Sequence, residues 1–174
     1  DFLRSINLGK GQPLHGKVLV VGGGNVAIDV ARAAVREQAQ SVDMYCLESR
    51  EEMPALDEEI EEAESEAITI HNGWGPKRLE VKDGKIQAVE FMRCLSVFDA
   101  DHHFSPKYDE NDTVTVAADW VLLSIGQEIR WGGLLEGSSV ELGRGRTAQA
   151  DPLTWQTGQP AVFVGGDCCT GPKF

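Results

Sequence analysis

The chain of 174 residues has no C-x-x-C pair: its four cysteines are Cys46, Cys94, Cys168 and Cys169. That absence excludes a locally built zinc knuckle or a thioredoxin-like dithiol. Adjacent Cys168 and Cys169 cannot bridge without strain, so all four are expected as reduced thiols of a cytoplasmic protein. Basic residues are scarce, with 16 Lys and Arg against 28 Asp and Glu and a net charge of −12. Nucleic-acid binding needs a basic face, and none is available. No apolar run approaches the length of a membrane span. No basic segment followed by an apolar stretch opens the chain, as a secretory signal would require. No internal repeat or low-complexity segment is present. The chain starts at Asp1 without a methionine and stops at Gly171-Pro172-Lys173-Phe174, so a piece excised from a longer protein is expected.

Its most informative stretch is Val18-Leu19-Val20-Val21-Gly22-Gly23-Gly24-Asn25-Val26-Ala27. A short apolar strand runs into a glycine turn that opens a helix. Gly22-x-Gly24-x-x-Ala27 in that context is a dinucleotide-binding fingerprint. Gly22 permits the tight turn, Gly24 lets the backbone approach a pyrophosphate, and Ala27 keeps helix and sheet close. Gly23 completes the turn, and Asn25 and Val26 would lend backbone N–H groups to the phosphates at the positive end of the helix. No Gly-Lys-Ser/Thr follows, which excludes a Walker loop. A methyltransferase-type glycine loop stays open as an alternative, as does a plain first turn of helix for Asn25 and Val26.

The pattern predicts a helix end over residues 1–8, a strand over 17–21, a helix over 25–38 with Val26, Val30, Ala33 and Ala34 inward, and a strand over 42–47. Pro54 is placed to begin the next helix. That helix is acidic outside, with Ile60, Ala63 and Ala67 inside, and a strand follows over 67–70. Strand–helix–strand–helix–strand is half of a doubly wound parallel sheet. The pattern then changes. Residues 78–81, a turn at Asp83-Gly84, and residues 85–92 read as an antiparallel hairpin. A polar loop over 99–112 and a strand over 113–117 complete a three-stranded meander. Residues 119–125 return to the main sheet, 131–158 read as loops, and 161–164 as a last buried strand. The fold class is α/β: a Rossmann-like parallel sheet with an antiparallel three-stranded meander.

Four segments in series carry a family resemblance. Gly22 to Arg32, Ser49-Arg50-Glu51-Glu52-Met53-Pro54-Ala55, Ala118 to Gln127 with its Ile125-Gly126-Gln127, and Val162 to Pro172 with Gly165-Gly166-Asp167 resemble the glutamate synthase small-subunit family. Related modules occur in dihydropyrimidine dehydrogenase and electron-bifurcating transhydrogenases. The resemblance implies a flavoprotein with two dinucleotide folds, the pyridine-nucleotide domain inserted into the flavin domain. It implies that residues 1–16 link from the flavin domain, 17–130 bind NAD(P)H, and 131–174 return toward a truncated flavin domain. FAD would belong to the intact parent, with Asp167 contacting the flavin's ribityl or pyrophosphate region; as a residue alone, Asp167 reads as a helix cap. Hydride would pass from NAD(P)H to FAD and on to an iron–sulfur centre or catalytic partner subunit. The cofactors carry that chemistry, so no catalytic side chain is named.

Nucleotide choice turns on the end of the second strand. An acid there accepts the ribose 2′-OH and repels a 2′-phosphate, while arginine does the reverse. Where NADPH-using relatives carry paired arginines, this chain has Leu47-Glu48. Glu48 lies slightly farther along than the roughly twenty residues usual for that acid, with Cys46 nearer, so Glu48 has to reach in from the loop. NAD(H) is expected over NADP(H), with Arg50 the cation left to meet a phosphate. Asp99-Ala100-Asp101-His102-His103 is read as a solvated loop without a metal, and His15 and His71 as structural. The acidic run 58–66 is read as a solvated face, with docking of a basic partner as the other reading. Trp74 and Trp131 are read as packing residues, with a place near the nicotinamide as the other reading for Trp131, which follows the Ile-Gly-Gln strand. Two other functions stay open, a non-catalytic NAD(H)-sensing module and a disulfide reductase, the latter disfavoured by the missing C-x-x-C.

Overall fold

The computed structural model describes residues 2–171. The chain forms two units, Asp1–Ile125 and Gly126–Phe174.

The first unit contains α1 (Phe2–Asn7), β1 (Lys17–Val21), α2 (Asn25–Arg36), β2 (Ser41–Cys46), α3 (Asp57–Ser65), β3 (Thr69–Asn72), β4 (Trp74–Lys82), β5 (Lys85–Phe98), β6 (Phe104–Ala117) and β7 (Trp120–Leu123). Four strands make a parallel sheet in the order β3-β2-β1-β7, and the other three an antiparallel sheet in the order β4-β5-β6. The run of apolar residues in β1 follows from being covered on both faces. Successive side chains of a strand point to opposite sides. Val18 and Val20 pack with Ala27, Ile28, Met44 and Ile60 on the helix side. Leu19 and Val21 pack with Tyr45, Val89 and Phe91 on the meander side. Tyr45 stacks between Phe91 and His71, with centroids 4.0 and 4.4 Å away. His71 pairs with Asp43 at 2.8 Å, a structural use in line with its reading.

β1, the start of α2, the Asp83-Gly84 turn and the return of β7 beside β1 lie where the sequence puts them. Both turn residues have positive φ, 52° and 73°, as a two-residue hairpin turn requires. Other elements differ. The buried face of α2 is Ala27, Ile28, Val30, Ala31 and Ala34, with Val26 and Ala33 only half-buried. Pro54 does not start α3. Leu56 caps it in extended conformation and the helix begins at Asp57, because residues 53–55 are spent packing across the glycine turn. Ala67 is exposed with φ +63°, and Ile68 takes its place in the core. The acidic face of α3 is partly engaged: Arg32 reaches Glu59, Glu62 and Glu66 at 3.5, 2.6 and 2.8 Å.

The polar loop expected over 99–112 is mostly strand. β5 and β6 stay paired to Phe98 and Phe104, with register shifts absorbing the polar residues. Only Asp99 to His103 turns, held by Asp99 Oδ1 accepting from the backbone N–H of Asp101 and His103, each at 2.9 Å. Cross-strand pairing overrides local polarity there.

The second unit has one 3-10 turn (Arg144–Arg146), a four-residue helix α4 (Asp167–Thr170) and isolated bridges such as Gln156 to Phe163. Ala148 and Thr157 are its buried residues among those described. The strand expected over 161–164 is absent. Phe163 is 59% exposed, and an apolar run becomes a buried strand only where a neighbouring strand offers it a ladder. Asp167 lies in the first turn of α4, and its side chain makes no cap; Gly166 holds that position. The Trp131 indole donates to Arg146 O at 2.8 Å.

Candidate nucleotide-binding site

Ligands of open α/β sheets bind beyond the carboxyl ends of the parallel strands, and the glycine turn sits at that edge. Gly22 has φ +141°, and a Cβ there would lie 2.3 Å from Ser124 O. Its N–H donates to Tyr45 O at 2.9 Å, so the turn is tied to β2 while lying against the end of β7. Ala27 is fully buried, and its Cβ lies 3.3 Å from where a Gly22 Cβ would stand. Nothing larger fits between turn and helix.

Gly24 differs. Its backbone is extended, φ −94° and ψ 173°, and a Cβ on it would meet only Pro54, at 3.9 Å. That is ordinary contact with one proline ring, and no other side chain among the described residues closes over the position. Gly24 O accepts the first helical bonds, from Ala27 and Ile28 at 2.8 and 3.2 Å. Among the described residues, the N–H groups of Gly23, Gly24, Asn25 and Val26 have no partner in the chain. Four free amides at the start of a twelve-residue helix form an anion cradle.

Glu48 does reach in from the loop. Its Oε2 would lie 2.8 Å from a Cβ on Gly23, which sets the carboxylate beside the turn. Asn72 Nδ2 and Gly73 N both donate to its backbone carbonyl, each at 3.1 Å. Cys46 is buried instead, its thiol pushed up to about 12 by burial first and the Glu48 charge second. Arg50 pairs with Asp57 at 3.1 Å. It lines a cleft of about 270 Å³ together with Leu47, Ser49, Asn72 and residues 94–97 of β5.

The loop after β2 is fastened to the glycine turn, which sequence reasoning missed. Asn25 Oδ1 accepts the Leu56 N–H at 2.8 Å, and Gly23 O accepts the Ala55 N–H at 3.2 Å. Met53 and Ala55 are each 8% exposed. The Met-Pro-Ala run and an asparagine just after the glycines were the available signals. Gly126 and Asp167 belong to the second unit. Gly126 has φ +113° with open space at its Cβ position, and Asp167 is exposed beside the open turn of Gly165 and Gly166.

The sequence has counterparts among known proteins. The family model described as pyridine nucleotide-disulphide oxidoreductase matches residues 3–174. The chain belongs to that family. It is 37% identical over 174 residues to the NADP(+)-dependent formate dehydrogenase subunit beta of Moorella thermoacetica, covering 99% of this chain and 24% of that protein. It is 29% identical over 163 residues to the glutamate synthase [NADPH] small chain of Escherichia coli, covering 89% of this chain and 34% of that one. The chain thus spans about a quarter to a third of these relatives. In structure it resembles thioredoxin reductase from Lactococcus lactis, with a TM-score of 0.71 at 19% identity over 91% of this chain and 46% of that one. At that identity the likeness concerns the fold. The family's description agrees with the motif reading of a dinucleotide-binding fold. No helix among the described residues is long and apolar enough to cross a membrane.

Proposed function

We propose that this chain is the NAD(P)H-binding part of a flavoprotein oxidoreductase that passes hydride from NAD(P)H to FAD and onward to an iron–sulfur or partner-protein acceptor. The observation that carries the reading is the cradle of four free amides at Gly23, Gly24, Asn25 and Val26, with Pro54 alone bordering Gly24. Those groups hold the pyrophosphate, and Gly22 and Ala27 keep strand and helix close enough to present them. FAD, when bound, supplies a two-electron acceptor for the nicotinamide hydride. In this reading residues 1–16 are the linker, 17–130 the nucleotide domain with Gly126 near its end, and 131–174 the return segment, with Asp167 on the side of the flavin domain. The open turn at Gly165 and Gly166 is compatible with close approach of a phosphate or ribityl group. Names of the relatives as subunit beta and small chain support a partner subunit. A cytoplasmic location belongs to the same reading.

The nucleotide in this proposal is NAD(H). Glu48 is held beside Gly23, where an acid accepts the ribose 2′-OH and repels a 2′-phosphate. Arg50, the one basic residue between Leu47 and Leu56, is occupied by Asp57. NADP(H) is the second reading, favoured by the names of both relatives. Titration of the chain with NADH and NADPH separates the two. Tighter NADH is expected, tighter NADPH reverses the assignment, and binding of neither removes the nucleotide reading.

A further inference from the structure

Asn25 sits where a phosphate-binding backbone is expected, yet its side chain points to another task. Oδ1 accepts the N–H of Leu56 at 2.8 Å, the residue that caps α3. The next residue, Asp57, takes Arg50 Nη1 at 3.1 Å. A continuous set of contacts therefore runs from the glycine turn, through the start of α3, to the one cation of the loop. Glu48 is fixed from a different direction, by Asn72 and Gly73. Acid and base of the same loop thus have separate supports, and Asn25 belongs to the support of the base.

We propose that Asn25 is a positioning residue for nucleotide discrimination: by clasping Leu56 it sets Asp57 to occupy Arg50 and withhold it from a 2′-phosphate. The inference rests on the nucleotide-binding reading above. Loss of the clasp releases the start of α3 and loosens the Arg50–Asp57 pair, while Glu48 stays in place. NADPH then gains on NADH, although Asn25 itself reaches neither the 2′ group nor Arg50.

The test uses the 174-residue chain. Dissociation constants for NADH and NADPH are measured by fluorescence titration, and exchange of the Leu56 amide by NMR. In Asn25→Ala the ratio of the NADPH to the NADH constant falls about three- to tenfold, the range one lost hydrogen bond covers, and the Leu56 amide exchanges faster. Asn25→Asp keeps the acceptor oxygen. Its added charge weakens both nucleotides, NADPH at least as much as NADH, so the ratio does not fall. Asp57→Asn, an exposed change with Asn25 intact, lowers the ratio as Asn25→Ala does but leaves the Leu56 amide protected, so a poorly folding Asn25→Ala does not decide the matter.

Equal weakening of both nucleotides in Asn25→Ala overturns the proposal and makes Asn25 a plain pyrophosphate or turn residue. Faster Leu56 exchange with an unchanged ratio overturns it in favour of a structural clasp. Unchanged exchange removes the clasp itself. A wild type that favours NADPH refutes the NAD(H) assignment alone, because the ratio is still required to fall in the variant. A wild type that binds neither nucleotide refutes the functional reading and the discrimination role together, and the exchange result then reports on the clasp alone.

Discussion

Val21-Gly22-Gly23-Gly24 and Val164-Gly165-Gly166-Asp167 read alike: an apolar run, a glycine turn and the start of a helix. The first turn is tied to β2 through Tyr45 O, pressed against Ser124, covered by residues 53–56 and followed by twelve residues of helix. The second is exposed, bears no contact at either glycine's Cβ position and opens a four-residue helix. The difference is in what surrounds the glycines. A glycine turn is a binding element when strand, helix and a covering loop fix where its amides point. Free torsions at glycine alone leave it a bend.

The comparison breaks most readily at its tightest point. Gly22→Val forces a Cβ against the Ser124 carbonyl at a φ of +141°, and should cost about 2–5 kcal/mol. Gly165→Val, with open space around it, should stay within about 0.5 kcal/mol. Denaturant unfolding measures both, and equal costs would end the contrast. Core truncation repeats the test at comparable stakes. Ile28→Ala, at a fully buried position, should lose about 2–5 kcal/mol, and Phe163→Ala, on an exposed side chain, far less. Glu48→Gln removes a charged acceptor beside Gly23 and should weaken NADH about tenfold, the loss expected of one hydrogen bond to a charged group; an unchanged NADH affinity would take Glu48 out of the site.

Smallest are the effects of pH and thiol chemistry. Burial raises Cys46 from 9.0 to about 12 and Tyr45 from 10.0 to about 12. Both groups ionise first in the unfolded chain, so their contribution is intact below about pH 9 and is lost as pH climbs toward 12. Cys46→Ala should flatten the early part of that decline. At neutral pH a thiol reagent should modify exposed Cys168 quickly and buried Cys46 and Cys94 only on unfolding. Equal rates for all of them would contradict the burial contrast.

The sequence is legible where the determinants are local. β1, the glycine turn and the start of α2 follow from ten consecutive residues, and the Asp83-Gly84 turn from two. It misleads where a distant partner decides. Pro54 has the chemistry of a helix start, but residues 53–55 are drawn across the glycine turn. Residues 104–112 are polar enough for a loop, but β5 offers them a ladder. Residues 161–164 are apolar enough for a strand, and among the described residues they find one bridge. In the site, the sequence points to Glu48 despite a spacing longer than usual, and the structure sets its carboxylate beside Gly23. The Asn25–Leu56 clasp was not legible, since thirty-one positions separate the two.

Gly24→Val is the direct test of the central claim that the first turn presents a pyrophosphate cradle. Its extended backbone accepts valine, and the space over it is empty of protein up to Pro54 at 3.9 Å. The account predicts a folded chain whose melting temperature falls by only a few degrees, the cost of valine at the N-cap of α2, with loss of NADH and NADPH binding, while Gly165→Val leaves both as in wild type. Wild-type nucleotide binding by a folded Gly24→Val chain would contradict it.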